Sequence, residues 1–270
     1  MNKLQDLLGS QNLSVFLSHY WAQQSVYIAG DSLRFQSLFS WNHLNDLLNY
    51  QTFRESELRF SRDGESLPAG DNPTLWRSRL QEGATLVLNG VHHRVPALKH
   101  LATNLRQEFG YRCHINLYSS PAQQQGFDCH YDTHDVLILQ IEGEKEWLIY
   151  PETLPYPTAD QPSYDRLPPE EPPYLQQVLS PGRSALHSTR ALALCNRTRN
   201  GISPSHDWHS HRYWLGLGQL VATAIKRPAP LETGIAPRRL MQLRSLQTAR
   251  SFRVIARSTD YLFARAPSDR

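Results

Sequence analysis

The sequence contains little cysteine and no long hydrophobic run, although it has 270 residues. Its three cysteines, Cys113, Cys129 and Cys195, are scattered without Cys-x-x-Cys spacing, which favours reduced thiols over a disulfide framework. No apolar segment approaches the roughly 20 residues that a membrane-spanning helix needs. Residues 1–10 lack the apolar centre of a secretory signal peptide. The sequence therefore predicts a globular cytoplasmic protein with no membrane partner.

Charge is distributed unevenly along the chain. Residues 1–182 contain 13 Lys or Arg against 21 Asp or Glu, whereas residues 183–270 contain 15 against 4. Such a break predicts either a basic tail that binds nucleic acid or a segment of different origin. Nucleic acid is the weaker expectation, because Trp208, Trp214 and leucine-rich runs without periodicity interrupt the arginines.

Periodicity and turn residues predict N-terminal helices followed by short strands. Helices are predicted at Trp41–Asn49 and at Pro96–Phe109, where proline lies in the first turn and Gly110 follows the last. The turn formers of Arg62–Pro73 predict an irregular loop. Closely spaced strands, including Asp135–Glu142, then predict a sandwich or barrel.

The strongest chemical signal lies in residues 126–135, which read Gly-Phe-Asp-Cys-His-Tyr-Asp-Thr-His-Asp. His130 and Asp132 are two positions apart, so their side chains would share one face of a strand or strand edge. They could then occupy adjacent positions on a metal, and a distant histidine would complete the facial triad of a non-haem Fe(II) site. Taken alone, such a pair is more often two exposed polar residues.

The surroundings of this pair resemble a known family. An apolar strand, Val136 to Gln140, follows the pair, and Gly143, Lys145 and Trp147 come next at alternate positions. This stretch resembles the cupin-type JmjC oxygenases, which include the ribosomal protein hydroxylases. Their consensus is a His-x-Asp-x-x-Asp-Val strand followed by a Gly-x-Lys/Arg-x-Trp turn. The resemblance extends over roughly residues 12–182 and is most specific at 126–150.

The resemblance implies an α+β protein with a cupin double-stranded β-helix (jelly roll) and N-terminal helices, incomplete on its C-terminal side. It also implies Fe(II) ligation by His130 and Asp132. The cosubstrate 2-oxoglutarate would be bound by Lys145, in a pocket that Asn116 and Tyr118 also line. No other catalytic residue is implied. Lys145 could instead be a solvated hairpin lysine, and Asn116 and Tyr118 could be packing residues.

The implied reaction couples oxidative decarboxylation of 2-oxoglutarate to hydroxylation of a C–H bond. By the same resemblance, the substrate would be a protein side chain, such as one on a ribosomal protein. The alternatives are a non-catalytic cupin remnant and a cupin that binds a metal or a small acid without 2-oxoglutarate. The sequence favours no particular oligomeric state.

The chain divides into three predicted regions. Residues 1–110 form the helical and β region that opens the cupin domain, and residues 111–182 form its core strands. Residues 183–270 form an atypical basic tail.

The third metal ligand is missing from its expected place. Counted from the Pro181-Gly182 turn, the family's histidine would fall at position 193, which is Ala193. Synonymous codons for residues 183–202 exist whose second frame reads Asp-Leu-Leu-Tyr-Ile-Pro-Arg-Gly-His-Trp-His, which is the family motif. We therefore hypothesise that the tail is out of frame and that this chain is impaired. The tail histidines are then expected to be accidental rather than substitute ligands: His187, His206, His209 and His211.

Overall fold

The computed structural model describes residues 3–110, 112–121, 124, 127–151, 154, 157, 161, 170–188, 192–198 and 219–223, the last two ranges as backbone only. These residues belong to one compact unit, Met1–Pro228. A second unit, Ala229–Arg270, lies outside them. Gly126 of the motif and most of the basic tail also lie outside the described residues.

The described helices precede most of the strands. They are α1 (Leu4–Leu8), α2 (Leu13–Val15, continued by a π-helical turn, Phe16–Tyr20), α3 (Trp41–Tyr50), α4 (Pro73–Gln81), a 3-10 turn (Val91–His93) and α5 (Pro96–Phe109). None of these helices combines the length and the apolar character that crossing a membrane requires.

Local sequence accounts for the ends of α3 and α5. Helix α3 begins after Ser40, whose side chain accepts a hydrogen bond from the His43 N–H, as expected of an N-cap serine. Helix α5 begins at Pro96 and ends before Gly110, which has a φ of 74° that glycine adopts without strain. The prediction for α5 is therefore confirmed, and α3 ends one residue beyond its predicted end.

The strands form two antiparallel sheets. The bounds are β1 (Val26–Ile28), β2 (Leu58–Arg62), β3 (Glu65–Leu67), β4 (Thr85–Leu88), β5 (Asn116–Ser119), β6 (Val136–Gln140), β7 (Lys145–Tyr150), β8 (Leu175–Leu179), β9 (Ser184–His187), β10 (Leu192–Thr198) and β11 (Gln219–Thr223). The main sheet has the order β1-β9-β6-β11-β5-β4-β2-β3, and the smaller sheet has the order β10-β7-β8. Three strands from beyond residue 182 therefore pair with strands of the core.

The two faces of the main sheet have different neighbours, as strand β6 illustrates. Leu137 and Leu139 belong to the large hydrophobic core that includes the helices. Val136 and Ile138 alternate with them and pack in a smaller cluster with Leu179 of the other sheet. Alternate residues of a strand point to opposite faces, so the second face looks into the barrel. The candidate site is built on that inner face.

One predicted loop contains a strand. Residues 65–67 form β3, which pairs with β2 so that Arg62 lies opposite Glu65. The two residues between them, Asp63 and Gly64, both have positive φ, at 50° and 82°. An Asp-Gly pair in that conformation forms a two-residue hairpin turn whose twist suits the flanking strands. The prediction of an irregular loop over Arg62–Pro73 was therefore wrong at this point.

Candidate active site

His130 lies in the loop that leads into β6, where it forms an isolated β-bridge. Its Nδ1 atom lies 2.7 Å from the backbone oxygen of Asp128. A carbonyl oxygen only accepts, so Nδ1 carries the proton and donates it to this bond. The lone pair of the neutral imidazole is then on Nε2, which is the arrangement that orients a histidine to bind a metal.

Asp132 lies two residues further along the same loop, beside a histidine from the tail. Its Oδ2 atom is 3.9 Å from Nδ1 of His187, and the His187 side chain is 2% exposed. Strand β9 brings His187 there because it pairs with β6, with His187 opposite Val136. Asp132 itself remains partly exposed, so the carboxylate lies between the buried imidazole and the solvent.

Tyr118 and Asn116 lie on the inner face of β5. The Asn116 side chain bonds to the Tyr118 hydroxyl, and its Oδ1 atom accepts a hydrogen bond from the Gly90 N–H at 2.9 Å. Burial raises the pKa of Tyr118, and the nearby Asp132 carboxylate raises it further. The phenol is therefore held protonated as a hydrogen-bonding group close to Asp132.

Lys145 begins β7 of the smaller sheet and lies inside the barrel. Its side chain is buried, and Nζ lies 3.5 Å from Oγ of Ser120. The ammonium also lies 6.0 Å from the centre of the Trp147 ring. This position differs from that of a solvated hairpin lysine, because the cation is removed from water.

Aromatic side chains connect these groups. The Phe127 ring is edge-on to Tyr118 at 5.7 Å between centres and lies 6.2 Å from the His130 ring. The Arg59 guanidinium lies 5.6 Å from the centre of the same ring. The pair on the loop and the residues on β5 are therefore parts of one site.

The described side chains do not complete a metal site. Among them, no three His, Cys, Asp or Glu side chains converge closely enough to hold an ion. Ala193 lies on β10, where it pairs with Ile149 of β7. His206, His209 and His211 lie outside the described residues. One imidazole with a free Nε2 lone pair and one nearby carboxylate fit part of an Fe(II) site, but the third ligand of a facial triad is not among them.

Sequence reasoning missed three residues of this site. Ser120 follows Tyr118 at the spacing that repeats one face of a strand, and this spacing could have identified it. Thr85 and His187 gave no such signal, because only the pairing of distant strands brings them to the inner face.

Comparison with known proteins shows what the segment around this site is similar to. A family model described as the JmjC domain matches residues 92–195, which include the His130–Asp132 loop and Lys145. The matched segment is thus similar to a JmjC domain. The JmjC match confirms the resemblance that residues 126–150 indicated.

Proteins similar in sequence to this chain include oxygenases of animals. The bifunctional lysine-specific demethylase and histidyl-hydroxylase NO66 of Drosophila pseudoobscura pseudoobscura is 28% identical over 194 residues, covering 66% of this chain and 20% of that protein. Ribosomal oxygenase 1 of Rattus norvegicus is 27% identical over 201 residues, covering 71% of this chain and 34% of that protein. The chain thus spans only about a fifth to a third of the length of these two relatives.

Solved structures show the fold of the chain. An X-ray structure of Escherichia coli YcfD has a TM-score of 0.56 at 16% identity and covers 94% of this chain and 64% of that one. The ribosomal oxygenase YcfD in complex with cobalt and 2-oxoglutarate has a TM-score of 0.53 at 17% identity, with 94% and 63% covered. The α+β cupin fold predicted from the sequence is therefore confirmed.

Proposed function

We propose that this protein belongs to the Fe(II)- and 2-oxoglutarate-dependent hydroxylases. The observation that supports this most is the buried Lys145 ammonium, which faces a barrel interior whose other sheet carries Tyr118. Among the described residues, no carboxylate lies within ion-pairing distance of Nζ. A buried cation needs an anionic partner, and a small dicarboxylate inside the barrel would provide one.

Metal binding and cosubstrate binding would involve different residues of the site. His130 and Asp132 would hold Fe(II), and Lys145 would bind the distal carboxylate of 2-oxoglutarate beside Tyr118 and Asn116. When bound, iron and 2-oxoglutarate would supply the activation of dioxygen, one oxygen atom entering the succinate left by decarboxylation and the other a C–H bond of the substrate. The buried apolar cluster inside the barrel would help to exclude water from this chemistry; its members are Val136, Ile138, Leu179 and Ala185.

The proposed substrate is a protein side chain, with ribosomal proteins as the first class to test. The support is that relatives are named histidyl-hydroxylase and ribosomal oxygenase. A cytoplasmic location is also proposed, because the scattered cysteines favour reduced thiols.

We further propose that residues from about 183 onward are translated out of frame. The support is the change in charge balance at residue 183 and the missing family histidine at position 193, which is Ala193. The shifted reading places the family's Leu-Leu-Tyr-Ile-Pro strand at residues 184–188. The shifted reading also places a histidine at position 193.

The test begins with the DNA around codon 183. If the second frame after codon 182 lacks the motif or stops at once, the frame proposal is wrong. If the motif is present, the protein translated in the restored frame is expected to release succinate from 2-oxoglutarate when Fe(II) is added. The chain with the present sequence is expected to release far less succinate. Lys145→Met in the restored protein is expected to remove this activity.

The same assay decides between the alternatives. A restored protein that binds metal but releases no succinate would be a metal-binding or acid-binding cupin and would overturn the proposed function. If neither the restored protein nor the present chain binds metal, the protein is a non-catalytic remnant. A basic tail that binds RNA with strong salt dependence would support a genuine reading frame instead.

A further inference from the structure

The loop that carries His130 and Asp132 packs against an apolar cluster of its own. Cys129 and Tyr131, which alternate with these two residues along the loop, lie in that cluster with Tyr150 of β7. Their exposed fractions are 2%, 5% and 7%, whereas His130 and Asp132 are only partly buried. Every second residue of the loop is therefore fixed by packing, and the proposed metal ligands are the residues between them.

The Tyr131 hydroxyl bonds this loop to the connection between β7 and β8. It donates to the backbone oxygen of Gln161 at 3.0 Å. Leu154, from the same connection, packs against the cluster that contains the Tyr131 ring. The ring and the hydroxyl thus both tie the loop to a segment that lies about thirty residues further along the chain.

The beginning of the loop is held by Asp128. Its backbone oxygen lies 2.7 Å from Nδ1 of His130, and its carboxylate lies so close to Gly64, in the β2–β3 turn, that there is no room for a Cβ there. Within residues 127–135, all of which the structure describes, only His130 has a strand-type pairing, an isolated β-bridge. Side-chain contacts therefore do for this loop what ladder hydrogen bonds do for a strand.

Tyr131 has a special place among these contacts, because it is covalently linked to both proposed ligands. A metal site needs ligands that packing and hydrogen bonds already hold in position, and groups that orient ligands affect metal affinity strongly. Without the hydroxyl, the Gln161 oxygen would lose this donor, and the loop would keep only the packing of the ring at this point.

We propose that Tyr131 is a positioning residue for metal binding, whose hydroxyl, through Gln161, holds His130 and Asp132 in place for a divalent ion. The inference rests on the proposed function, in which these two residues hold Fe(II). Tyr131 acts through its two neighbours and does not itself touch the ion.

The experiment compares Tyr131→Phe with the unaltered full chain. Titration with Co(II), followed by its visible absorption, is expected to show an affinity about tenfold lower, at the lower end of the range for groups that orient metal ligands. Tyr150→Phe is the matched control, because it removes a hydroxyl from a ring of the same cluster.

A second measurement needs no metal and uses a thiol of the loop itself. Cys129 is buried beside Tyr131, so its alkylation by iodoacetamide requires the loop to open. Its rate, followed by mass spectrometry of the Cys129 peptide, is expected to rise about fivefold in Tyr131→Phe, as loss of one neutral hydrogen bond predicts. Cys113 packs against the separate core that includes the helices, and its rate is expected to stay unchanged.

The outcomes distinguish positioning from a general effect on stability. If Tyr131→Phe lowers the thermal unfolding temperature but leaves the Co(II) affinity unchanged, the hydroxyl only stabilises the fold and the proposal is wrong. Equal losses of Co(II) affinity in Tyr131→Phe and Tyr150→Phe overturn it as well, as does an unaltered chain that binds no Co(II).

The positioning role and the proposed function can fail independently. Co(II) affinity that depends on the Tyr131 hydroxyl, without Fe(II)-dependent turnover in the restored protein, supports the positioning role and removes the hydroxylase assignment. Turnover in the restored protein, together with unchanged Co(II) affinity in Tyr131→Phe, does the reverse.

Discussion

The Nδ1 atom of His187 lies 3.9 Å from Oδ2 of Asp132, inside the barrel. Two ligands in adjacent positions of one metal, each at about 2.1 Å, are about 3 Å apart. The pair is thus within about 1 Å of the separation needed to share an ion. From the sequence His187 was expected to be accidental, so its position beside the proposed iron ligand is a finding of the structure.

Loss of His187 is expected to weaken binding of a divalent metal to the full chain. His187→Ala removes either a ligand or a neighbour that orients Asp132, and such changes cost about 10- to 100-fold in affinity. Titration with Co(II), followed by its visible absorption, measures the effect. His100→Ala, at an exposed position of α5, is the control. Equal Co(II) affinity in His187→Ala and the unaltered chain would contradict the expectation.

The stability of the fold is expected to fall as the pH drops from about 6.5 towards 4. His92 is buried, and its Nδ1 atom accepts a hydrogen bond from the Ile115 N–H at 3.1 Å. Burial, with a smaller effect of the neighbouring His93, lowers the pKa of His92 from 6.5 to about 4. Between these values the unfolded chain binds a proton that the folded chain does not, so the free energy of unfolding decreases with falling pH.

Urea unfolding at several pH values tests this titration. His92→Asn keeps an acceptor for the Ile115 N–H but cannot titrate, so it should flatten the dependence between pH 6.5 and 4. His100→Asn, at an exposed site, should leave the slope unchanged. If the unfolding free energy of His92→Asn depends on pH as steeply as that of the unaltered chain, other groups cause the loss of stability in acid.

Replacing Gly182 is expected to destabilise the protein far more than replacing Gly110. Both have left-handed φ, at 78° and 74°, for which alanine pays about 1 kcal/mol. A Cβ at Gly182 would lie 1.6 Å from the Asp31 carbonyl oxygen, whereas nothing lies within 4 Å of one at Gly110. Gly182→Ala should therefore cost at least twice as much as Gly110→Ala in urea unfolding. If the two substitutions lower the unfolding free energy by similar amounts, the backbone at Asp31 moves easily to make room for the added Cβ.

Arg34 is expected to stabilise the junction of α1, β1 and the turn before β9. Its half-buried guanidinium donates to the backbone oxygens of Asp6 at 3.3 Å, Ala29 at 3.2 Å and Gly182 at 3.4 Å, and also to that of Leu7. Arg34→Met leaves these oxygens without their donor and should cost about 2 kcal/mol in unfolding free energy.

Two further variants define the role of Arg34. Arg34→Lys should recover only part of the loss, because an ammonium lacks the planar fork of donors. Arg54→Met is the control, since its ion pair with Glu57 is exposed and should contribute little. If Arg34→Met and Arg54→Met have the same unfolding free energy, Arg34 does not stabilise this junction.

The sequence predicted helix ends and turns correctly where neighbouring residues alone determine them. Pro96 and Gly110 delimited α5 correctly, because proline suits a first turn and glycine suits a left-handed end. The Asp63-Gly64 pair indicated a turn correctly, but its meaning as a hairpin depends on the pairing of β2 with β3. The two-residue spacing of His130 and Asp132 identified the loop as chemically important but did not determine its conformation.

The sequence by itself determined the resemblance to the JmjC oxygenases and, through it, the α+β class, because the motif depends on residue types at short spacings. The residues proposed to hold iron and 2-oxoglutarate come from the same motif. Only the tertiary structure decided that Thr85 and Ser120 meet Lys145 and that His187 lies beside Asp132. These contacts join strands far apart in the chain, and the register of each pair fixes which side chains face the barrel. A shift of one residue would turn them to the other face, and no local pattern in the sequence specifies that register.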